Sequence, residues 1–228
     1  MTTKLITRHL GVVSYQDGLS AQKEAYSLVQ KEPTQGILTI CEHWPVVTLG
    51  RHSSTSSLLV SIEELQRQKI DCHRSDRGGD ATVHFPGQLV VYITISLKSL
   101  RLGVKSFVRK VEDSVITVLG RYQIVGTTLG KYPGIWLARG DNRYAKICAL
   151  GFTVKKSITS HGLALNITED TSLFSLIKPC GIDHDSLRNV TSMMTEIRSN
   201  PELNKGLTAS QMKANATRDL ILSLEQHL

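Results

Sequence analysis

Residues 89–120 read LVVYITISLKSLRLGVKSFVRKVEDSVITVLG, and the change of period inside that stretch decides the fold class. Leu89 to Leu97 is an uncharged run rich in β-branched residues, which predicts a strand. Beyond it Val104, Phe107, Val108, Val111, Val115, Val118 and Leu119 recur at helical spacing, which predicts an amphipathic helix ending near Gly120. Toward the N-terminus the pattern predicts a helix from Ser20 to Lys31, with Leu19, Tyr26 and Val29 marking its apolar side, and strands at Gly36–Cys41 and Val46–Leu49. Ser61-x-x-Glu64 is a capping box that opens a short helix to Gln68. Toward the C-terminus strands are predicted at Ile135–Leu137, Lys146–Val154 and Ile158–Ile167. A last helix opens on Thr208-x-x-Gln211 and buries Met212, Ala216, Leu220, Ile221 and Leu224. Strands and helices intermingle throughout, so the expected class is α+β, a mixed central sheet covered by helices. With no repeat or linker-like composition shift, residues 1–228 read as one domain.

Composition narrows the function classes. A chain of 228 residues, 40% apolar and 21% charged, suits a soluble globular protein with a real core. No apolar run is long enough to span a membrane, and the first residues lack the apolar stretch of a signal peptide, so no membrane partner and a cytoplasmic location are expected. The net charge of +7 favours anionic partners. The Lys and Arg residues are scattered, and aromatics make up only 5%, so nucleic acid is not expected. Acidic protein partners fit better. The cysteines Cys41, Cys72, Cys148 and Cys180 are too far apart to suggest a disulfide framework, and no paired metal-ligand spacing occurs, so no metal is expected. Cys41 and Cys148 sit in apolar runs as small hydrophobes. Cys180 differs, standing in the loop-like Lys178-Pro-Cys-Gly-Ile182.

Three further segments carry chemical potential. In Arg77-Gly-Gly-Asp-Ala-Thr-Val-His-Phe-Pro-Gly-Gln88 the adjacent glycines either make a simple hairpin turn or bring backbone donors close to a ligand. Lys146 heads the apolar strand KICALG and is either a solvated charge or a base pointing into a pocket. His161 opens HGLALN, where Gly162 and Ala164 are the small residues that a narrow channel for an alkyl chain requires. On its own a strand histidine of this kind is more often structural than catalytic.

Taken in order, these segments resemble the lipoyl(octanoyl) transferases of lipoate biosynthesis. Arg77 to Tyr92 fits that family's RGGxxTxHxxGQxVxY signature; KICALG, HGLALN and PCGI are similar to its KIAAIG, HGLALN and PCGI, and Glu42 to Gly50 resembles its EHPPVYTLG. The likeness runs over about residues 40–183. Val83 stands where the family has an aromatic residue, Phe85 where it has glycine and Asp80 where it has glutamine. The first two departures put acyl-chain length preference in question, since a Phe85 ring pointing inward shortens the pocket and one pointing outward does not.

The resemblance implies a fold like the lipoate and biotin protein ligases and an acyl transfer. Octanoyl would pass from acyl carrier protein, through a Cys180 thioester, to a lysine on the lipoyl domains of 2-oxoacid dehydrogenases or on the glycine cleavage H protein. A thioester donor already carries its leaving group, so neither ATP nor another cofactor is expected. Lys146 would activate Cys180. Thiolate enrichment alone is a small effect: lowering a thiol pKa from 8.5 to 7 raises the thiolate fraction from about 3% to about half, but nucleophilicity falls roughly fivefold, a net gain of about threefold. Lys146 therefore matters more as a proton carrier in both half-reactions. The implied acyl site comprises Arg77, Gly78, Gly79, Asp80, Ala81, Thr82, Val83, His84, Ala149, Leu150, Gly151, His161, Gly162, Leu163 and Ala164. Two rivals remain: an ATP-dependent lipoate–protein ligase of similar fold, which needs no nucleophilic cysteine, and a non-catalytic binder of acylated partners, against which the presence of both Lys146 and Cys180 argues.

Overall fold

The computed structural model describes residues 4–130, 132–178, 189–200, 203 and 206–228. Strands β1 (Lys4–Val13), β2 (Gln35–His43), β6 (Gln88–Thr94), β7 (Thr127–Leu129), β8 (Tyr132–Ala138), β9 (Tyr144–Lys155) and β10 (Ile158–Asn166) form a large sheet in the order β1-β2-β6-β10-β9-β8-β7. The short β11 (Asn189–Val190) pairs with β9. A second sheet, in the order β4-β3-β5, is made of β3 (Val46–Leu49), β4 (Asp71–Arg74) and β5 (Ala81–His84). The helices are α1 (Tyr15–Lys31), α2 (Ile62–Arg67), α3 (Val104–Arg121), α4 (Met193–Ser199) and α5 (Ala209–His227).

The β6 run is uncharged because both of its faces are covered. Leu89, Val91 and Ile93 pack with Phe107, Val111, Val115 and Val118 of α3, and with Met212, Ala216 and Leu220 of α5, in the main core. The alternate residues Val90 and Tyr92 face the other way, with Cys41 and Ala164. On that side α1 lies close to the sheet: a Cβ on Gly18 would stand 2.7 Å from the His43 ring. Helix α1 begins five residues before the expected start, at Tyr15, because Ser14 caps it by accepting from the Asp17 amide at 3.1 Å. Thr208 and Gln211 form the full capping box expected of them. Among the described residues no helix is long and apolar enough to cross a membrane.

The small sheet has its own core, in which Val47, Leu49, Ala81, Val83 and Phe85 meet Leu65, Phe174 and Ile177. The structure corrects one site residue expected from sequence here. Val83 is fully buried in this second core rather than lining the acyl site, because it alternates with the cavity-facing Thr82 and His84 along β5. Phe85 likewise points outward from the acyl site, its ring 6.2 Å from that of Phe174 in an edge-to-face arrangement.

Candidate active site

Small residues face one another across the middle of the large sheet. Gly162 lies opposite Gly151 and Ala164 opposite Ala149, while on the other side of β10 they meet Tyr92 and Val90. Nothing larger fits at Gly162, where a Cβ would stand 1.9 Å from the Val91 carbonyl. The result is a trough opening into a cavity of about 670 Å³, a size suited to one small ligand. Expected site residues 77–82, 84, 146, 149–151 and 161–164 line it. So do Tyr15, His52, Val90, Tyr92, Val104, Val108, Tyr132 and Phe174, which were not among the expected site residues. Leu150 and Phe152 belong to the α3 side of the sheet, so the cavity wraps around the β9 edge beyond the point where β8 pairs with it.

Lys146 reaches the cavity because of a bulge. Between Ile135 and Trp136 the register with β9 slips by one, so that Ile135 pairs with Cys148 while Trp136 pairs with Lys146. Ile147 and Cys148 consequently both enter the main core, fully buried, instead of alternating. Without the slip Lys146 would share a face with Cys148; with it, Lys146 shares the cavity face with Ala149. The side chain is only 7% exposed, with Nζ donating to the Pro133 carbonyl at 3.2 Å and standing 4.4 Å over the Trp136 ring. Its alternative as a solvated surface charge is therefore excluded.

The Arg77-Gly78-Gly79 segment is no hairpin. It connects β4 and β5, which lie on opposite sides of β3, so the chain must cross the end of that strand. Arg77 clamps the crossing: Nη2 donates to the Thr48 carbonyl at 2.6 Å, and Nη1 to the Gly78 carbonyl at 3.1 Å. The Gly78 amide then donates to the Phe152 carbonyl at 3.1 Å, joining the loop to β9. Gly151 allows that contact, since a Cβ there would sit 2.9 Å from the Gly78 carbonyl. Asp80 accepts from Ser57 Oγ at 2.6 Å and from the Ala81 amide at 2.7 Å.

His161 combines a buried ring with left-handed backbone at φ 62°, a conformation that costs a non-glycine residue about 1–3 kcal/mol. Its amide donates to Gln22 Oε1 at 2.7 Å and its Nε2 contacts Asp76 Oδ1 at 2.7 Å, holding the residue in place. Burial lowers the His161 pKa against the opposing pull of Asp76. Burial tends to raise Asp76, but the hydrogen bonds from Lys155 and His161 outweigh it and hold the carboxyl down to about 2. Behind the cavity, His43 Nε2 meets Tyr92 Oη at 2.6 Å, and Tyr15 donates to Ser75 Oγ at 2.8 Å with its ring stacked on His84.

Cys41 and Cys148 are buried, and burial pushes the Cys41 thiol up to about 12 and Cys148 up as well, so neither is a ready nucleophile. Cys180 lies outside the described residues. The chain on either side of its segment is described: the Lys178 amide donates to the Ser57 carbonyl at 2.9 Å, and Val190 pairs with Lys146. Among the described residues no three of His, Cys, Asp and Glu gather as a metal site.

Comparison with known proteins gives a consistent picture. The family model of the lipoyl protein ligase A/B catalytic domain matches residues 14–219. An octanoyltransferase of Dictyoglomus thermophilum is 40% identical over 191 residues, 84% of this chain and 77% of that one. One from Bacteroides fragilis is 35% identical over 227 residues, covering 97% and 98% of the two chains. The bi-partite lipoate protein ligase of Thermoplasma acidophilum shares the fold at a TM-score of 0.66 and 16% identity, covering 98% of this chain and 84% of that one. A lipoate-protein ligase A bound with ATP does so at 0.64 and 16%, over 98% and 86%.

Proposed function

The chain belongs to the lipoyl protein ligase A/B catalytic-domain family, as one of its octanoyltransferases, and we propose that it moves octanoyl from acyl carrier protein to a lipoyl-domain lysine through a Cys180 thioester. The observation that supports this most is Lys146, turned out of the core by a strand bulge into a cavity floored by facing Gly and Ala pairs. The trough suits an unbranched acyl chain, and Lys146 lines the same cavity.

In the first half-reaction Lys146 Nζ takes the Cys180 thiol proton. The thiolate adds to the donor carbonyl, and the tetrahedral intermediate expels the carrier thiolate, which recovers the proton. In the second, the target amine adds to the acyl-cysteine, gives up a proton to Lys146 and expels the Cys180 thiolate, which is then reprotonated. Backbone amides from the glycine-bearing loops are the candidates for stabilising the oxyanion. The donor is already activated, so the reaction proceeds without ATP, metal or other cofactor. The positive net charge of +7 complements acidic acyl carrier protein and acidic lipoyl domains; lipoyl-bearing 2-oxoacid dehydrogenases and the glycine cleavage H protein are the acceptors this reading implies.

Intact mass after incubation with octanoyl-carrier protein alone tests the reading. One octanoyl group, labile to hydroxylamine and lost in Cys180→Ser, is expected. Acylation of Cys41, Cys72 or Cys148, or transfer that requires ATP, would overturn it.

A further inference from the structure

Buried amides can be oriented by the backbone carbonyls they meet, because a carbonyl oxygen only accepts. The Thr191 carbonyl lies 3.0 Å from Asn166 Nδ2, so Asn166 turns its Oδ1 toward Gln88 Nε2 at 2.9 Å. The same Gln88 nitrogen meets the Val83 carbonyl at 3.3 Å. With its nitrogen fixed by two acceptors, Gln88 presents Oε1 to His84 Nδ1 at 2.7 Å. An amide oxygen cannot donate, so the proton of that bond sits on Nδ1. The two amides are sealed from water, Gln88 at 0% and Asn166 at 2% exposed, while His84 at the end of the relay keeps 7%.

A neutral imidazole protonated at Nδ1 carries its lone pair at Nε2. Burial first, then His43 and Arg77, push the His84 pKa down to about 3, so the ring stays neutral at working pH. Nε2 has no partner among the described residues, and unlike the sealed amide nitrogen of Gln22 it opens on the cavity that His84 lines.

We infer that His84 Nε2 accepts a hydrogen bond from the primary amine that attacks the acyl group, and that Gln88 and Asn166 are positioning residues that fix its tautomer. This rests on the acyl-enzyme reading above. A thioester offers no N–H at its reacting atoms, and the thiol proton of the loading step goes to Lys146, so that step does not call on the His84 lone pair. An attacking amine does have N–H bonds, and they become more acidic as nitrogen bonds to the carbonyl. A neutral acceptor leaves the amine lone pair free for that carbonyl, whereas an imidazolium would donate to the lone pair and tie it up. No proton moves to His84; the proton lost by the amine goes to Lys146. The relay also reaches that lysine, since the Thr191 amide donates to the Lys146 carbonyl at 2.9 Å.

Two measurements test this. Histidine ¹⁵N spectra of the full wild-type chain should show His84 neutral with Nδ1 protonated; a proton on Nε2 overturns the inference whatever the variants do. In single-turnover assays, His84→Asn supplies a donor near Nδ1 but nothing at Nε2, while His84→Gln can place a carbonyl near Nε2. Transfer from preloaded acyl-enzyme to a lipoyl domain should fall on the order of a hundredfold in His84→Asn, less in His84→Gln, with loading from octanoyl-carrier protein affected far less. A wild-type chain that never loads octanoyl overturns the proposed reaction. Equal slowing of loading and transfer, or none of transfer, overturns the role of His84 alone.

Discussion

The large sheet floors the cavity with Gly151, Gly162, Ala149 and Ala164, positions with no side chain or a single methyl. The small sheet walls it with Arg77, Asp80 and His84, each held by two or more hydrogen bonds or a buried relay. One side supplies room and the other polarity, so substitutions on the two sides should move different observables: chain-length preference on the first, rates and protonation on the second. Lys146, like Tyr92 and His161 of the same sheet, is an exception, and its cause is visible. It lies on the large sheet yet carries chemistry, and it does so only because a bulge takes it out of the core.

The largest expected effect is therefore at Lys146. Lys146→Ala should slow octanoyl transfer on the order of a thousandfold while the chain stays folded, the range typical of a lost proton carrier. Lys146→Arg should rescue poorly, because a guanidinium cannot give up its proton. Near-normal turnover of the arginine variant would mean that only positive charge is needed there.

Filling the trough comes next. Ala149 lies opposite Ala164 and lines the cavity, so Ala149→Leu puts three extra carbons where the acyl chain runs. Displacing about three methylenes at ~0.8 kcal/mol each should cost octanoyl on the order of fiftyfold against butanoyl in a competition assay. An unchanged ratio would show that the chain lies elsewhere.

The same division explains what the sequence could reveal. Central strands and amphipathic helices were legible because burial imposes a period, as in β6 and α3, and Lys146 and the HGLALN glycine were legible as motif members. Strand β1 was missed: at the sheet edge its residues are mostly half-exposed and carry no clean alternation. Strand β5 was hidden inside a segment read as a turn or glycine-bearing loop, and α4, at seven residues, is too short to show a helical period. The bulge at Lys146 has no local signature, since it follows from how β8 meets β9. The tautomer of His84 likewise depends on Gln88, Asn166 and Thr191, which come together only in the fold.

A smaller effect should appear in stability. Below about 6.5 an unfolded chain takes up a proton at His84 that the folded chain refuses until about 3. The unfolded state thus binds more protons across that window, and stability falls with pH by up to ~1.4 kcal/mol per unit from this residue. Buried His43 and His161, whose pKa values are also lowered, add in the same direction. Asp76 works lower down: its contribution is present above its ordinary value near 4 and is lost as pH falls toward about 2. Urea titrations from pH 7 to pH 4 should show a flatter slope in His84→Gln than in the wild type. Parallel slopes would mean that His84 can be protonated in the folded chain.

The smallest expected change in selectivity is at Phe85, where sequence alone left the ring pointing either into the acyl pocket or away from it. In the fold Phe85 is 5% exposed and packs in the small-sheet core, edge-to-face with Phe174. Phe174, not Phe85, lines the cavity. The ring therefore acts at one remove, by supporting a wall rather than by occupying the trough. Phe85→Leu keeps most of the buried apolar volume and should cost about 1–1.5 kcal/mol of stability. It should leave the octanoyl-to-decanoyl ratio within about twofold, because the trough floor of Gly and Ala is untouched. Had the ring pointed inward, room for two more methylenes would have favoured decanoyl by on the order of tenfold at ~0.8 kcal/mol each. A shift of that size in Phe85→Leu, measured by competing the two donors, would show that the small sheet sets room as well as polarity and would break the division between the two sides.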